Sequence, residues 1–455
     1  MSALCQRLDQ PSKKVELVRP CILGDGITDA VARTSPPSDS PVRVVPASGA
    51  ATRMFQALRQ ANATDLNDLK NQIDQGESGL APAWTALQGW SGLALGRALP
   101  DTDPSTDLPG TLDALRESGI ADLPKGLVPF HLHGNTHRTA LEGHLREAAV
   151  GRTGDVHLHF TAPEDHLQTF KDHIAHINQT VAPELGVHFH VELSVQHPST
   201  DTPALRDDGS VVRHPDGTPF VRPGGHGALL QNLDAMSGLI RIINIDNLAH
   251  EDHRVANRPW GNALVQALLD LREEQRSAIE RALAGRDLPQ IRSWLAEFGW
   301  TGDPDQGTVL ADLDRPLRVA AVVPSDGQPG GGPFWVRDEH GRITAQIVEG
   351  VEVDEAPDQQ AIWNASTHFN PVDIVCWLNN ADGAPHDLTR FVDNSRWIRT
   401  RKHVLGAPAR CLERPGLWNG SMGGWLTRFV AVPRATFNPV KTVANLLDER
   451  HRPVG

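Results

Sequence analysis

The hydrophobic pattern first becomes regular at Val42, Val44 and Val45, a short apolar run that predicts a strand. PASGAATRMFQAL follows it and turns into a helix. Residues 63–120 break into short helical pieces separated by polar, proline and glycine positions. At 138–149, RTALEGHLREAA places Leu141, Leu145 and Ala148 on one helical face, with Thr139 and Glu142 at capping-box spacing. VHLHF at 156–160 alternates as a strand does. TAPEDHLQTFKDHI then predicts a helix, with Thr161 and Glu164 in capping positions and Leu167, Phe170 and Ile174 inside. VHFHVELSV (187–195) reads as a strand, GALLQNLDAM (227–236) as a helix and LIRIINID (239–246) as a buried strand. Two Leu-lined, charged helical stretches occupy 260–299 and stop at Gly285 and Gly299. Strands resume with LRVAAVV (317–323) and ITAQIVEGVEV (343–353).

Strand–helix alternation from 42 to 246 predicts an α/β fold, a mostly parallel sheet with helices on both faces. Residues 1–40, ending in TSPPSDSP, read as a lead-in segment. A catalytic domain is expected over 41–400, with a helical insertion at about 258–312, and a C-terminal segment over 401–455.

Composition narrows the class. The chain has 455 residues, 39% apolar and 22% charged, an ordinary globular balance that excludes wholesale disorder. A net charge of −13 disfavours non-specific nucleic-acid binding but permits a local basic pocket. No stretch approaches the roughly 20 apolar residues of a membrane span, and the N-terminus lacks the apolar run of a secretory signal. Cys5, Cys21, Cys376 and Cys411 are scattered and form no metal or disulfide spacing, so a cytoplasmic protein is expected.

The first candidate chemistry lies in VVPASGAATRM (44–54), a strand, a loop of small residues and a helix start. Small side chains at Ser48, Gly49, Ala50 and Thr52 let the backbone approach a ligand, and a helix N-terminus favours phosphate. Arg53 stands in the first helical turn, where a guanidinium can pair with phosphate oxygens. The loop is neither a Walker A motif nor GxGxxG. Taken alone, it also reads as a plain strand–helix turn. A second basic element, Pro124-Lys125, follows downstream before an apolar strand and a helix.

This succession resembles the nucleotide-sugar pyrophosphorylases, with Ser48-Gly49-Ala50-Ala51-Thr52-Arg53 and Pro124-Lys125 in place of their two basic elements. VRPGGHGALLQNL (221–233) looks like the Gly-rich nucleobase segment of the UDP-glucose and UDP-N-acetylhexosamine type. IINIDNL (242–248) resembles their Val-Asp-Asn motif through Asp246 and Asn247. QIVEGVEVD, FNPVDIV and TFNPVKTVANLL align Glu349, Asn370 and Lys441 with later motifs. The chain is also similar, over nearly all of 40–450, to an uncharacterised bacterial family that shares PASGA-(A/S)-(T/S)-RM, RPGGHGAL, NIDN, PGLWNG-(A/S)-M and FNPVKTV. The first loop departs from the pyrophosphorylase pattern in having one glycine where relatives have several.

The resemblance implies a three-layer sheet of the nucleotide-diphospho-sugar transferase (glycosyltransferase-A-like) type. It also implies transfer of a nucleotide from an NTP, UTP or CTP, to a sugar-1-phosphate or another phosphorylated or phosphonylated small molecule, with no nucleic-acid or membrane partner. The implied roles are catalytic for Arg53, Lys125 and Lys441, and nucleotide-binding for Ser48, Gly49, Ala50, Thr52, Gln196, Gly224, Gly225, His226 and Gly227. Glu349 and Asn370 are implied on the acceptor, and Asp246 on Mg²⁺. The segment 401–455 is expected to complete the acceptor site. The alternative is a nucleotide-sugar-binding module without catalysis.

Other signals are weaker. Lysines are usually solvated, and a carboxylate at a strand end often caps a turn. A glycosyltransferase usually carries Asp-x-Asp, and Asp246-Asn247 lacks the second acid. Ser199 has no recognisable nucleophile elbow. Among 21 histidines, His157/His159 and His188/His190 pair at strand spacing, and His131, His133 and His137 cluster in an expected loop. Same-face pairs suit zinc, but the sequence supplies no completing carboxylate or cysteine, so decorated strands are the plainer reading. PGGGPFWV (329–336) reads as a turn before a buried Phe334 and Trp335, and GLWNGSMGGW (416–425) as pocket wall or core.

Overall fold

A computed structural model describes residues 2–9, 13–302, 305–327 and 330–454. Residues 1 and 10–12 of the lead-in, 303–304 of the expected insertion and Pro329 of the glycine-rich run lie outside the described residues. The fold is mixed α/β, and the chain divides into two compact units, each built from separated stretches. One comprises Met1–Pro41, Gln196–Ile242 and Trp260–Arg434; the other comprises Val42–Val195, Ile243–Pro259 and Ala435–Gly455.

The second unit carries the alternation seen in the sequence. Strands Val42–Pro46, Gly154–Thr161 and Val187–Ser194 pair in parallel in that spatial order. Parallel strands need a crossover, and the intervening helices supply it. Helix Thr52–Gln60 buries Met54, Phe55, Ala57 and Leu58, while Arg53, Gln56 and Arg59 stay exposed. Helix Ala140–Ala149 is capped as expected, the Thr139 hydroxyl accepting from the Glu142 amide. The next helix departs from expectation and begins later, at Leu167, after a short 3₁₀ turn. Thr161 ends the strand instead, and its hydroxyl accepts from the Ala47 amide. The short helical pieces of 63–120 fill one continuous core through Leu69, Leu87, Leu112 and Leu115, together with Phe130, Leu145, Phe160 and Phe170. Each such buried side chain contributes on the order of 1.5–3 kcal/mol.

The first unit holds a mixed sheet in which Ile22–Leu23, Gly26–Asp29, Leu426–Ala431 and Leu317–Pro324 run parallel and Asp373–Trp377 antiparallel. Two smaller antiparallel sheets accompany it: Glu16–Pro20 with Gly332–Arg337 and Ile343–Val348, and Val221–Arg222 with Thr202–Leu205, Ala407–Glu413 and Ile398–Val404. Phe334 and Trp335 are buried on a strand. The segment expected as one strand over 343–353 stops at Val348 and turns through Gly350–Glu352. That turn puts Glu352 inside the unit, where both its oxygens meet the Arg396 guanidinium at 2.8 Å. The Asn419 amide and the Glu349 N–H also donate to it. Helices Glu251–Leu283 and Leu288–Ala296 end near glycines of positive φ, Gly285 and Gly299, as the pattern predicted. Among the described residues no helix is long and apolar enough to cross a membrane.

A buried ion pair is dangerous to halve, because the remaining charge stays desolvated. Glu352→Ala is therefore expected to cost about 3–5 kcal/mol in urea unfolding, and the double change Glu352→Leu/Arg396→Met less than that single one.

Candidate functional site

In the second unit, strand Val42–Pro46 delivers the chain to the small-residue loop. Ala47 is fixed at once, its N–H reaching the Thr161 carbonyl and hydroxyl. The loop then runs beside the 123–125 segment: Ala50 bridges Pro124, the Ala51 amide donates to the Leu123 carbonyl, and the Lys125 amide to the Gly49 carbonyl. The two basic elements of the sequence are thus neighbours in space. Gly126 explains how closely the segment packs, since a Cβ there would lie 2.9 Å from the Phe170 ring.

Lys125 points inward. Its Nζ donates to Asp246 Oδ2 at 2.9 Å and to the Val440 carbonyl at 3.1 Å. Lys441 donates to the same oxygen at 3.3 Å. Three residues far apart in sequence therefore share one carboxylate oxygen. The backbone closes the arrangement: the Val440 amide donates to the Asp246 carbonyl, Leu248 donates to Asn438, and the Asn247 side chain accepts from the Asn438 amide. Burial alone would push the Asp246 carboxyl up; the ammonium groups of Lys125 and then Lys441 overcome it and hold it below its ordinary 3.8. Asp246 and Lys125 are almost enclosed, whereas the Lys441 side chain is 58% exposed.

Two ammonium groups on one carboxylate leave a net positive charge. Lys441 uses one of its three donors in the contacts described, so the cluster offers hydrogen-bond donors to an incoming anion. Arg53 is exposed in the first turn of Thr52–Gln60 and forms no ion pair or side-chain hydrogen bond among the described residues; no side chain caps that helix. Gly49 is exposed, has no positive φ, and an added Cβ would meet nothing within 4 Å. The smallness of Gly49 therefore has no cause within the fold. The donor set does not fit a protein-held Mg²⁺. Asp246 is a lone carboxylate already shared by two cations.

The remaining expected residues belong to the first unit. Gly224, Gly225 and Gly227 are small because of their own chain: a Cβ at Gly227 would lie 2.0 Å from the Pro415 carbonyl oxygen, and one at Gly224 2.6 Å from that of Thr200. His226 stacks on Trp418 at 4.2 Å, accepts from the Leu417 amide on Nδ1 and stands 3.8 Å from Glu349 on Nε2. Gln196 donates to Asp201. Asn370 is buried, donating to the Ala321 carbonyl and accepting from the Val372 amide, so both ends of its side chain serve the backbone.

Sequence reasoning missed a histidine cluster that anchors the Lys441 segment. His131 lies on strand Pro129–His133, and His137 on the paired Thr136–Thr139, where a loop was expected. His131 Nε2 meets His451 Nδ1 at 3.1 Å, and His250 packs edge-on against His131 at 5.6 Å. The His250 amide donates to the Arg450 carbonyl. Burial, reinforced by Arg254, His451, His250 and Arg138, pushes His131 well below its ordinary value. Burial and then His253, Arg450 and His250 push His451 down to about 4. His144, bonded to the Ile245 carbonyl, is pushed by burial and Arg43 to about 3. Only the convergence of three chain segments reveals this cluster; the spacing of its histidines carries no signal.

The chain belongs to the family described as Domain of unknown function (DUF4301), whose model matches residues 112–452. No match is found among curated proteins. Among solved structures the chain is similar to UDP-glucose phosphorylase from Trypanosoma brucei, with 12% identity, 98% of this chain and 73% of that one covered, and a TM-score of 0.44. It is similar to a UDP-glucose pyrophosphorylase mutant from Leishmania major in complex with UDP-glucose (13%, 98% and 73%, 0.40). A third similarity is to the uridine diphosphate N-acetylglucosamine pyrophosphorylase from Trypanosoma brucei in complex with inhibitor (13%, 88% and 84%, 0.38).

The histidines set an acid limit. A group whose pKa is depressed in the folded chain lends stability that is complete above its unfolded value, near 6.5, and is lost as pH falls through its folded value. His451 and His144 should each remove about 3 kcal/mol between pH 6.5 and pH 4. Melting temperature against pH should fall over that window, and His451→Leu should flatten part of the fall.

Proposed function

We propose that the protein is a nucleotidyltransferase that moves a nucleoside monophosphate from an NTP to a phosphorylated or phosphonylated small molecule, such as a sugar-1-phosphate. The observation that carries this reading is the Lys125–Asp246–Lys441 cluster beside the 49–51 loop, net positive and half-open at Lys441. An acceptor phosphate oxygen attacks the α-phosphorus, the new P–O bond forms, and the bond to the β-phosphate breaks with its electron pair leaving on pyrophosphate. Such chemistry needs charge neutralisation and alignment rather than a general base, because the acceptor is already an anion.

In this reading Arg53 and the loop Ser48–Thr52 hold the β- and γ-phosphates, Lys125 faces the α-phosphate and Lys441 the acceptor phosphate. Asp246 sets the two lysines, and Mg²⁺ enters as the counter-ion of the NTP. The parallel strands flanked by helices agree with the three-layer transferase arrangement that the sequence resemblance implies. The base-reading roles of Gln196, Gly224, Gly225, His226 and Gly227, the acceptor roles of Glu349 and Asn370, and the preference for UTP or CTP rest on that resemblance. Four free cysteines suit the cytoplasm.

The test is pyrophosphate release from each of the four NTPs against a panel of sugar-1-phosphates and phosphonates. Turnover should need both substrates. Lys125→Met and Lys441→Met should each lower kcat/KM by about 10²–10³-fold, the usual loss of one charge-stabilising donor. Arg53→Ala should lower it as well. Binding of a nucleotide sugar without turnover in any combination would replace this reading with a binding module, and absence of both would remove it.

A further inference from the structure

A second cluster of chemistry lies on the solvent face of the strand pair Gly154–Thr161 and Val187–Ser194. The parallel register sets Asp155 opposite His188 and His157 opposite His190. Val156, Leu158 and Phe189 are buried, whereas Asp155, His157, His188 and His190 are exposed, so all four share one face. The sequence shows two histidine pairs; the fold makes them adjacent and adds the missing carboxylate. His157 and His190 stack at 4.9 Å, His188 meets His190 edge-on at 4.6 Å, and His190 Nε2 bonds Asp155 Oδ1 at 2.9 Å. Strand geometry puts the four Cα atoms at the corners of a rectangle of about 4.8 by 6.6 Å.

We infer that Asp155, His157, His188 and His190 form a binding site for one divalent transition metal of the zinc, nickel or copper class. Three imidazoles with a carboxylate match those ions rather than Mg²⁺ or Ca²⁺. As the rings stand they stack, and no three donors converge. Exposed side chains reach other staggered rotamers at low cost, so a bound ion replaces ring stacking by coordination. His159, next along the strand, is outside the set, because it is buried and its Nε2 is bonded to the Ser194 hydroxyl. Strand Val187–Ser194 is the last in its strand order, so an ion here ties an edge strand to its neighbour and stabilises the folded chain by mass action. The site is independent of the proposed transferase reading.

Chelator-treated full-length protein is titrated by calorimetry with ZnCl₂, NiCl₂ and MgCl₂, with melting temperatures in parallel. One equivalent of Zn²⁺ or Ni²⁺ should bind and raise the melting temperature; Mg²⁺ should do neither. His157→Gln, His188→Gln and His190→Gln should each weaken binding by about tenfold or more, the scale on which even outer-shell partners act. His340→Gln, at an exposed histidine of the first unit, should leave it unchanged. Circular dichroism confirms folding of these surface variants. No binding by the parent chain, or equal binding by all three ladder variants, overturns the assignment.

Discussion

Everything at the candidate site depends on one carboxylate held away from water. Asp246 sits in the turn after an apolar strand that stops at Ile243, short of the 239–246 expected from the sequence, and burial makes its charge costly. Two ammonium groups meet that cost, and each arrives on a different stretch of chain. The geometry is demanding. Lys125 reaches the oxygen only because Gly126 lets its segment press against Phe170 and because the 49–51 loop pairs with 123–125. Lys441 reaches it only because residues 438–440 run along Asp246–Leu248 in backbone register. Remove the carboxylate and Lys125 is left as a nearly enclosed cation with a single carbonyl for company.

In the proposed reading the same arrangement favours an anionic ligand. A divalent cation would displace or repel both lysines, at a large electrostatic cost in a partly desolvated place. An anion finds one positive charge already neutralised and the other only partly so. The overall charge of −13 makes this local excess more selective, since the rest of the surface does not recruit polyanions. The buried histidines contribute in a quieter way. Being held neutral, they pack the C-terminal stretch without adding charge to it.

Much of this was legible in the sequence, for identifiable reasons. Strands at 42–46, 154–161 and 187–194 and the helix at 140–149 follow from strong periodicity and a capping threonine. Lys125, Asp246 and Lys441 were visible as members of ordered motifs, although their mutual contact was not. The Thr161 cap failed because the tertiary bond from Ala47 claimed that hydroxyl. The strand past Val348 failed because Glu352 is drawn inside by Arg396, a partner distant in sequence. His131 and His451, like the adjacency of His157 and His190, exist only once strands pair, and no local pattern encodes which strands do.

The fold also sorts motif residues by whether their identity is already accounted for. Gly227 is required by the Pro415 carbonyl, Gly126 by Phe170, Asn247 by the Asn438 amide and Asn370 by two backbone groups. These positions would be constrained in a chain that bound nothing. Gly49, Arg53 and the exposed end of Lys441 are different. Gly49 has neither a positive φ nor a neighbour to avoid, Arg53 has no counter-ion among the described residues, and Lys441 keeps donors free. A small residue with room around it and a guanidinium without a partner among the described residues have no role in holding the unit together, and the Lys441 ammonium has donors to spare beyond its bond to Asp246. A guanidinium and an ammonium share the chemistry of pairing with phosphate oxygens, which is the role proposed for them.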